Sequence, residues 1–229
     1  MVRESFYLKD WIFQLGDDVE CLKTGKKVTI PHTWNIQDGT EDSMGSGWYE
    51  HKLFVPEEWH GKVVQLRFHA VYHDAVVYLN GNEVGEHKNS GYTPFVIDVT
   101  GNLIYGEMNS LIVQANNAYS KQMLPYMRSF DWANDGGIIR DVELIVTGVN
   151  YIESLQTTAK PVILTENDRQ DTGAAIFGFK AFLNGDINRT QKLEWNLSKD
   201  NSKEVICCGN VDCAGQTVTI GQNLISCVE

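Results

Sequence analysis

An all-β sandwich is the fold class this sequence predicts. Three observations carry it: apolar and polar residues alternate with period two through much of the chain, helical periodicity is nearly absent, and the alternating runs are short and punctuated by Gly, Asn and Asp. Many short strands separated by turn residues form a sandwich or a barrel, because each strand can bury only one of its two faces.

In chain order, the first β-rich runs are 52–55, 63–68 and 75–79. The last leads through Asn80-Gly81 into Glu83-Val84. That pair predicts a type I′ hairpin, since both central residues of the turn need positive φ. Runs at 111–115 and 142–146 follow. The segment TGVN at 147–150 is the expected boundary between two domains, 1–148 and 149–229. The pattern restarts at 151–158, 174–183, 193–197, 204–208, 217–220 and 224–228, with a polar loop at 166–173. An immunoglobulin-like sandwich uses about seven strands, so the second domain reads as immunoglobulin-like and incomplete at its C-terminus. Its unpaired edge offers a route to a homo-oligomer. The prolines, at 31, 56, 94, 125 and 161, fall at strand edges or loops, where a missing N–H is tolerated.

Composition narrows the function classes. The chain has 229 residues, 42% hydrophobic and 21% charged, enough for one large or two modest globular domains. Its formal net charge is −11 and no Lys/Arg cluster stands out, which argues against a nucleic-acid partner. No apolar run approaches the ~20 residues of a transmembrane helix, so no membrane partner is expected. The opening MVRESFYLKDW shows no signal peptide. That leaves the cytoplasm, or the periplasm or exterior if a leader has been removed. Five cysteines, at 21, 207, 208, 213 and 227, are an odd count that argues against a complete disulfide framework. Cys207, Cys208 and Cys213 lack zinc-site spacing, and no His lies near them, so they read as packed or free thiols. His69 and His73 have the i, i+4 spacing of a helical zinc pair but sit in strand and loop sequence. No metal and no cofactor is expected. Two sequons, at Asn188 and Asn196, matter only in a eukaryotic secretory setting.

The most informative stretch is FDWANDGGIIRDV at 130–142. Aromatic faces beside a carboxylate and a carboxamide suit a ligand with apolar C–H faces and many hydroxyls, as a sugar has. The Asp131 carboxylate can accept hydrogen bonds from two neighbouring hydroxyls while the Phe130 and Trp132 rings shield them from water. The competing reading is a turn cap, or a local ion pair with Arg128 or Arg140. Asn134 is the second candidate ligand residue, or a brace for its loop. Asp135 reads as a turn residue, Gly136-Gly137 as permitting tight backbone geometry, and Arg140 as a brace through carbonyls or acids.

The stretch comes with PHTWN (31–35), GWYEHKLFV (47–55), VYLNGNEVGEH (77–87) and GYTPFVIDVT (91–100). In this order and spacing, over roughly 6–148, the motifs resemble the N-terminal half of glycoside hydrolase family 2, which holds β-galactosidases, β-glucuronidases and β-mannosidases. The resemblance implies a jelly-roll sugar-binding domain, then an immunoglobulin-like domain, then a (β/α)8 barrel with two catalytic glutamates. By that resemblance Asp131 reaches into the barrel's active-site mouth and contacts hydroxyls of the terminal sugar. The parent would be a retaining β-glycosidase acting on terminal β-linked hexosides, β-galactosides first. Its substrate would be a carbohydrate and its nearest partner its own C-terminal barrel. No catalytic residue is expected in this chain, which shows no carboxylate pair of the kind retaining glycosidases use. Two other readings stay open: a free-standing carbohydrate-binding module, and domains that only brace or oligomerise the enzyme.

Trp34 and Trp48 read as stacking platforms or as core and rim packing. The polar segment NIQDGTEDSMGSG at 35–47 is a loop. Met44 stands just ahead of Gly45-Ser46-Gly47, where some family members place a polar side chain, with Asp42 or Ser43 as substitutes. His32 is expected to hold its loop through ring N–H bonds.

Overall fold

The computed structural model describes residues 3–128, 131–162, 174–187, 191–199, 204–213 and 215–226. The chain divides into two compact units, Met1–Gly148 and Val149–Glu229. It is all-β: every strand pair is antiparallel, and the only helical elements described are 3-10 turns.

The first unit contains β1 (Glu4–Tyr7), β2 (Asp10–Leu15), β3 (Lys26–Thr29), β4 (Ser46–Phe54), β5 (Val63–Phe68), β6 (Asp74–Leu79), β7 (Asn82–His87), β8 (Phe95–Asp98), β9 (Met108–Asn116) and β10 (Val142–Thr147). These form a six-stranded sheet, β3-β2-β4-β9-β6-β7, and a four-stranded sheet, β1-β10-β5-β8. Period-two alternation explains the core between them. Leu111, Val113 and Ala115 of β9 and Ala75, Val77 and Leu79 of β6 join Val64, Leu66 and Phe68 of β5 and Val142, Leu144 and Val146 of β10 in one buried cluster. Asn80 and Gly81, with φ of 52° and 85°, make the tight turn between β6 and β7.

Trp34 and Trp48 are both buried, so neither is a platform for a ligand. Trp34 stacks on Phe13 at 5.7 Å between ring centroids. Trp48 stacks on Tyr78 at 6.2 Å and donates its indole N–H to Gly16 O at 3.1 Å.

The second unit contains β11 (Tyr151–Pro161), β12 (Ala174–Asn184), β13 (Lys192–Ser198), β14 (Val205–Asp212) and β15 (Thr217–Ser226), arranged as β11-β12-β15 and β13-β14. Phe179, Ala181 and Leu183 of β12 and Val218 of β15 are buried with Cys213, and Leu193 and Trp195 of β13 and Val211 of β14 pack against them. The runs expected as two strands at 217–220 and 224–228 are one strand in the described residues. Gly221 and Gln222 look like a turn in the sequence. They form a bulge instead: pairing jumps from Phe177↔Asn223 to Phe179↔Ile220. An extra residue accommodated this way bends a strand without ending it.

Cys21, Cys207, Cys208 and Cys213 are free thiols, with Cys213 buried. No group of His, Cys, Asp or Glu that could hold a metal ion occurs among the described residues, and no helix described is long and apolar enough to cross a membrane. Cys227, Phe130, Asn188 and the loop expected at 166–173 lie outside the described residues.

Candidate functional site

The site is built on backbone that only glycine allows. Gly137 has φ of 143°, and a Cβ there would lie 2.3 Å from His32 O. A Cβ on Gly136 would lie 2.1 Å from the Trp34 ring. This close approach lets the segment pair on two sides. Tyr72 and Gly137 exchange backbone hydrogen bonds of 2.8 and 3.1 Å, His32 N donates to Ile138 O at 2.8 Å, and Trp34 N donates to Gly136 O at 3.2 Å. The residues just before Gly136 are therefore held where the PHTWN segment and the end of β9 meet.

Asn117 is the organiser that sequence reading missed. It is fully buried. Its Nδ2 lies within hydrogen-bonding distance of Asn134 O (2.9 Å), Asn35 Oδ1 (3.1 Å) and Ser43 O (3.2 Å), and its Oδ1 accepts from Gly45 N at 2.9 Å. One carboxamide thus joins the 35–45 loop to the Asp131 segment. Asn35 extends the joint, since its Oδ1 also accepts from Gly136 N at 2.8 Å. The available signal was a polar Asn-Asn pair closing an alternating strand.

Asn134 is buried, and its side chain is engaged within the protein. Oδ1 accepts from the Tyr72 hydroxyl at 2.6 Å, and Nδ2 donates to Asn117 O. Nδ2 also faces Met44 Sδ at 3.7 Å. A thioether is a weak acceptor, so that second amide hydrogen is the less firmly engaged of the two. The Trp132 side chain hydrogen-bonds the Tyr72 hydroxyl, and Trp132 meets Tyr92 edge-on at 6.0 Å. Burial, chiefly, and the nearby Asp135 charge raise the pKa of both Tyr72 and Tyr92. Both phenols therefore stay protonated at neutral pH.

A cavity of about 500 Å³ opens in front of this frame, with Asp131, Trp132, Asn134 and Asp135 on one wall and Asn35, Glu41, Asp42 and Met44 on the other. Tyr119 and Arg128 complete it. Asp131 is exposed there, and Asp135, expected as a turn residue, is also in the wall. Arg128 pairs with Asp42 at 3.0 Å and Arg140 reaches Tyr92 O at 3.4 Å. Asp141 pairs with Lys9. The wall combines carboxylate acceptors, a carboxamide and an exposed indole, a set that can hold a polyhydroxylated ring by its edge and its face.

His32 holds its loop. Gln37 Nε2 donates to His32 Nε2 at 2.6 Å, leaving the proton on Nδ1, which lies 2.8 Å from the Tyr49 hydroxyl. Burial lowers the His32 pKa to about 4.

Fold and cavity together define a β-sandwich domain with a polar cavity lined by carboxylates, a carboxamide and an indole. Residues 18–148 match the model of glycosyl hydrolases family 2, sugar binding domain, and the chain belongs to that family. Among its relatives, a β-glucuronidase of Bacteroides fragilis is 35% identical over 202 residues, covering 86% of this chain and 28% of the relative. A β-galactosidase of Thermoanaerobacter pseudethanolicus is 33% identical over 189 residues, covering 80% and 23%. The chain therefore spans about a quarter of the length of these relatives. The β-glucuronidase of Bifidobacterium dentium complexed with coumarin-3-O-glucuronide shares the fold, with a TM-score of 0.82 at 22% identity over 98% of this chain and 42% of that one.

Proposed function

We propose that the first unit presents Asp131 to the terminal sugar of a β-linked hexoside, as the sugar-binding part of a retaining β-glycosidase. The observation that carries this reading is the cavity in which the exposed Asp131 carboxylate, the Asn134 amide and the Trp132 indole face common space. In the reading, Asp131 accepts from two ring hydroxyls, Asn134 offers its second amide hydrogen, and Trp132 covers a C–H face of the sugar. The second unit is read as an immunoglobulin-like domain that carries no substrate contact.

In this reading the catalytic pair lies outside these 229 residues, and the chain alone turns over no glycoside but shapes the substrate pocket of a barrel. Relatives of both galactosidase and glucuronidase name support the glycosidase class. Calorimetry with galactose, glucuronate and mannose tests the binding reading. Saturable heat with one sugar, lost in Asp131→Ala, supports it. Equal heat in wild type and variant removes Asp131 from the site.

A further inference from the structure

We infer that the cavity between β3 and the 37–40 segment, outside the Asp131 cavity, is a site for a small organic anion, a carboxylate on an apolar body. The cavity measures about 230 Å³, below the ~300 Å³ at which pockets for drug-sized ligands begin. Its lining holds Lys26 and Lys27 and no acid. That balance runs against the chain as a whole, which has 30 acids to 19 Lys and Arg. The Asp131 cavity is the reverse: Glu41, Asp42, Asp131 and Asp135 surround Arg128, and Arg128 is already paired with Asp42.

Strand register explains how a lysine comes to face this space. Directly paired residues of neighbouring strands share a face. Lys26 pairs with Phe13, and Val28 pairs with Trp11. Phe13 and Trp11 belong to the core, and Leu15 and Val28 pack against it. Lys26 is therefore on the core-facing side of β3, at the edge of the six-stranded sheet, and is still exposed to an arriving ligand. An inward lysine also discourages edge-to-edge pairing, but that role needs no cavity opposite it. Here Gln37 and Thr40 close the space from the loop. Their side-chain donors are already used: Gln37 Nε2 donates to His32 Nε2, and Thr40 Oγ1 donates to Trp34 O and Gln37 O. Neither Lys26 nor Lys27 pairs with an acid among the described residues. The two ammonium groups are thus the donors left for a ligand, and Phe13, Leu15 and Val28 supply apolar wall. A carboxylate meets the lysines while its apolar body covers that wall.

The test titrates the 229-residue chain with benzoate, acetate and the neutral benzamide, following the backbone amide signals of Lys26, Lys27, Gln37 and Thr40 by two-dimensional NMR. Benzoate is expected to move these signals saturably and to bind about tenfold tighter than acetate, which lacks the apolar body. It should also bind about tenfold tighter than benzamide, which lacks the charge. Added salt should weaken benzoate and leave benzamide unchanged. The Lys26→Met, Lys27→Met variant keeps the apolar stems and should lose about tenfold in benzoate affinity, whereas Lys26→Arg, Lys27→Arg should still bind. Circular dichroism checks the fold of both variants, and the salt and benzamide comparisons are read on the wild type. Asp131→Ala should leave benzoate binding unchanged, so this inference stands or falls apart from the sugar reading. No saturable shift with benzoate, equal affinity for benzamide or acetate, or undiminished binding in the Met variant overturns the inference. Benzoate shifts confined to the Trp132 indole place the anion in the other cavity and also overturn it.

Discussion

Trp34 fills the space where Gly136 would otherwise carry a side chain, with only 2.1 Å between the position of a Cβ and the indole. The ring is fully buried and cannot retreat, so the Asp131 segment can dock only if position 136 is glycine. Gly136→Ala should cost about 1–3 kcal/mol or more, as overpacking does in a filled core. Gly101→Ala, where an added Cβ meets nothing within 4 Å, should stay within about 0.5 kcal/mol of wild type. Urea denaturation of the two variants measures the difference.

Tyr72→Phe removes the donor to Asn134 Oδ1 and leaves a buried carboxamide oxygen short of its partner. A loss of about 1–3 kcal/mol is expected. Because Asn134 and Asp131 share a short segment, sugar affinity should fall with stability. Thermal melts paired with a sugar titration check both effects.

Acid should weaken the first unit through His32. Its folded-state pKa of about 4 lies below the ordinary 6.5, so the unfolded chain takes up the proton first. Stability is then full above about pH 6.5 and is lost as pH falls toward 4, flattening below it. The ring is partly exposed, so the loss is discounted to about 1–2 kcal/mol. Denaturation midpoints across this window should fall in wild type and stay flatter in His32→Asn.

The isolated chain should not hydrolyse aryl β-glycosides. Release of 4-nitrophenol from β-galactoside and β-glucuronide substrates, measured before and after Asp131→Ala, checks this. Turnover above a blank purification would place catalytic groups within these residues.

Much of the fold is local and was therefore legible. Alternation placed the middle strands of the first unit, and Asn80-Gly81 placed the turn between β6 and β7, because period and turn chemistry act over a few residues. The bulge at Gly221 was not legible, since a glycine beside polar residues reads as a turn unless its pairing with Phe177 and Phe179 is known. The acid-aromatic motif pointed to Asp131, but nothing local announces that Tyr72, Asn117 and Asn134 form one hydrogen-bonded joint. Asn117 and Asn134 are 17 positions apart, and Tyr72 and Asn134 are 62 apart. Side-chain bonds across such separations leave no periodic trace. Trp34 and Trp48 show the same limit, because an aromatic suited to a sugar face is equally suited to a core.

The most direct test of the central claim is a two-dimensional NMR titration of the chain with methyl β-D-galactopyranoside, glucuronide and mannopyranoside, following the Trp132 indole N–H. Saturable shifts with at least one sugar, abolished in Asp131→Ala while the rest of the spectrum stays folded, are the predicted result. An indole signal that no sugar moves, or that moves equally without the Asp131 carboxylate, would contradict it.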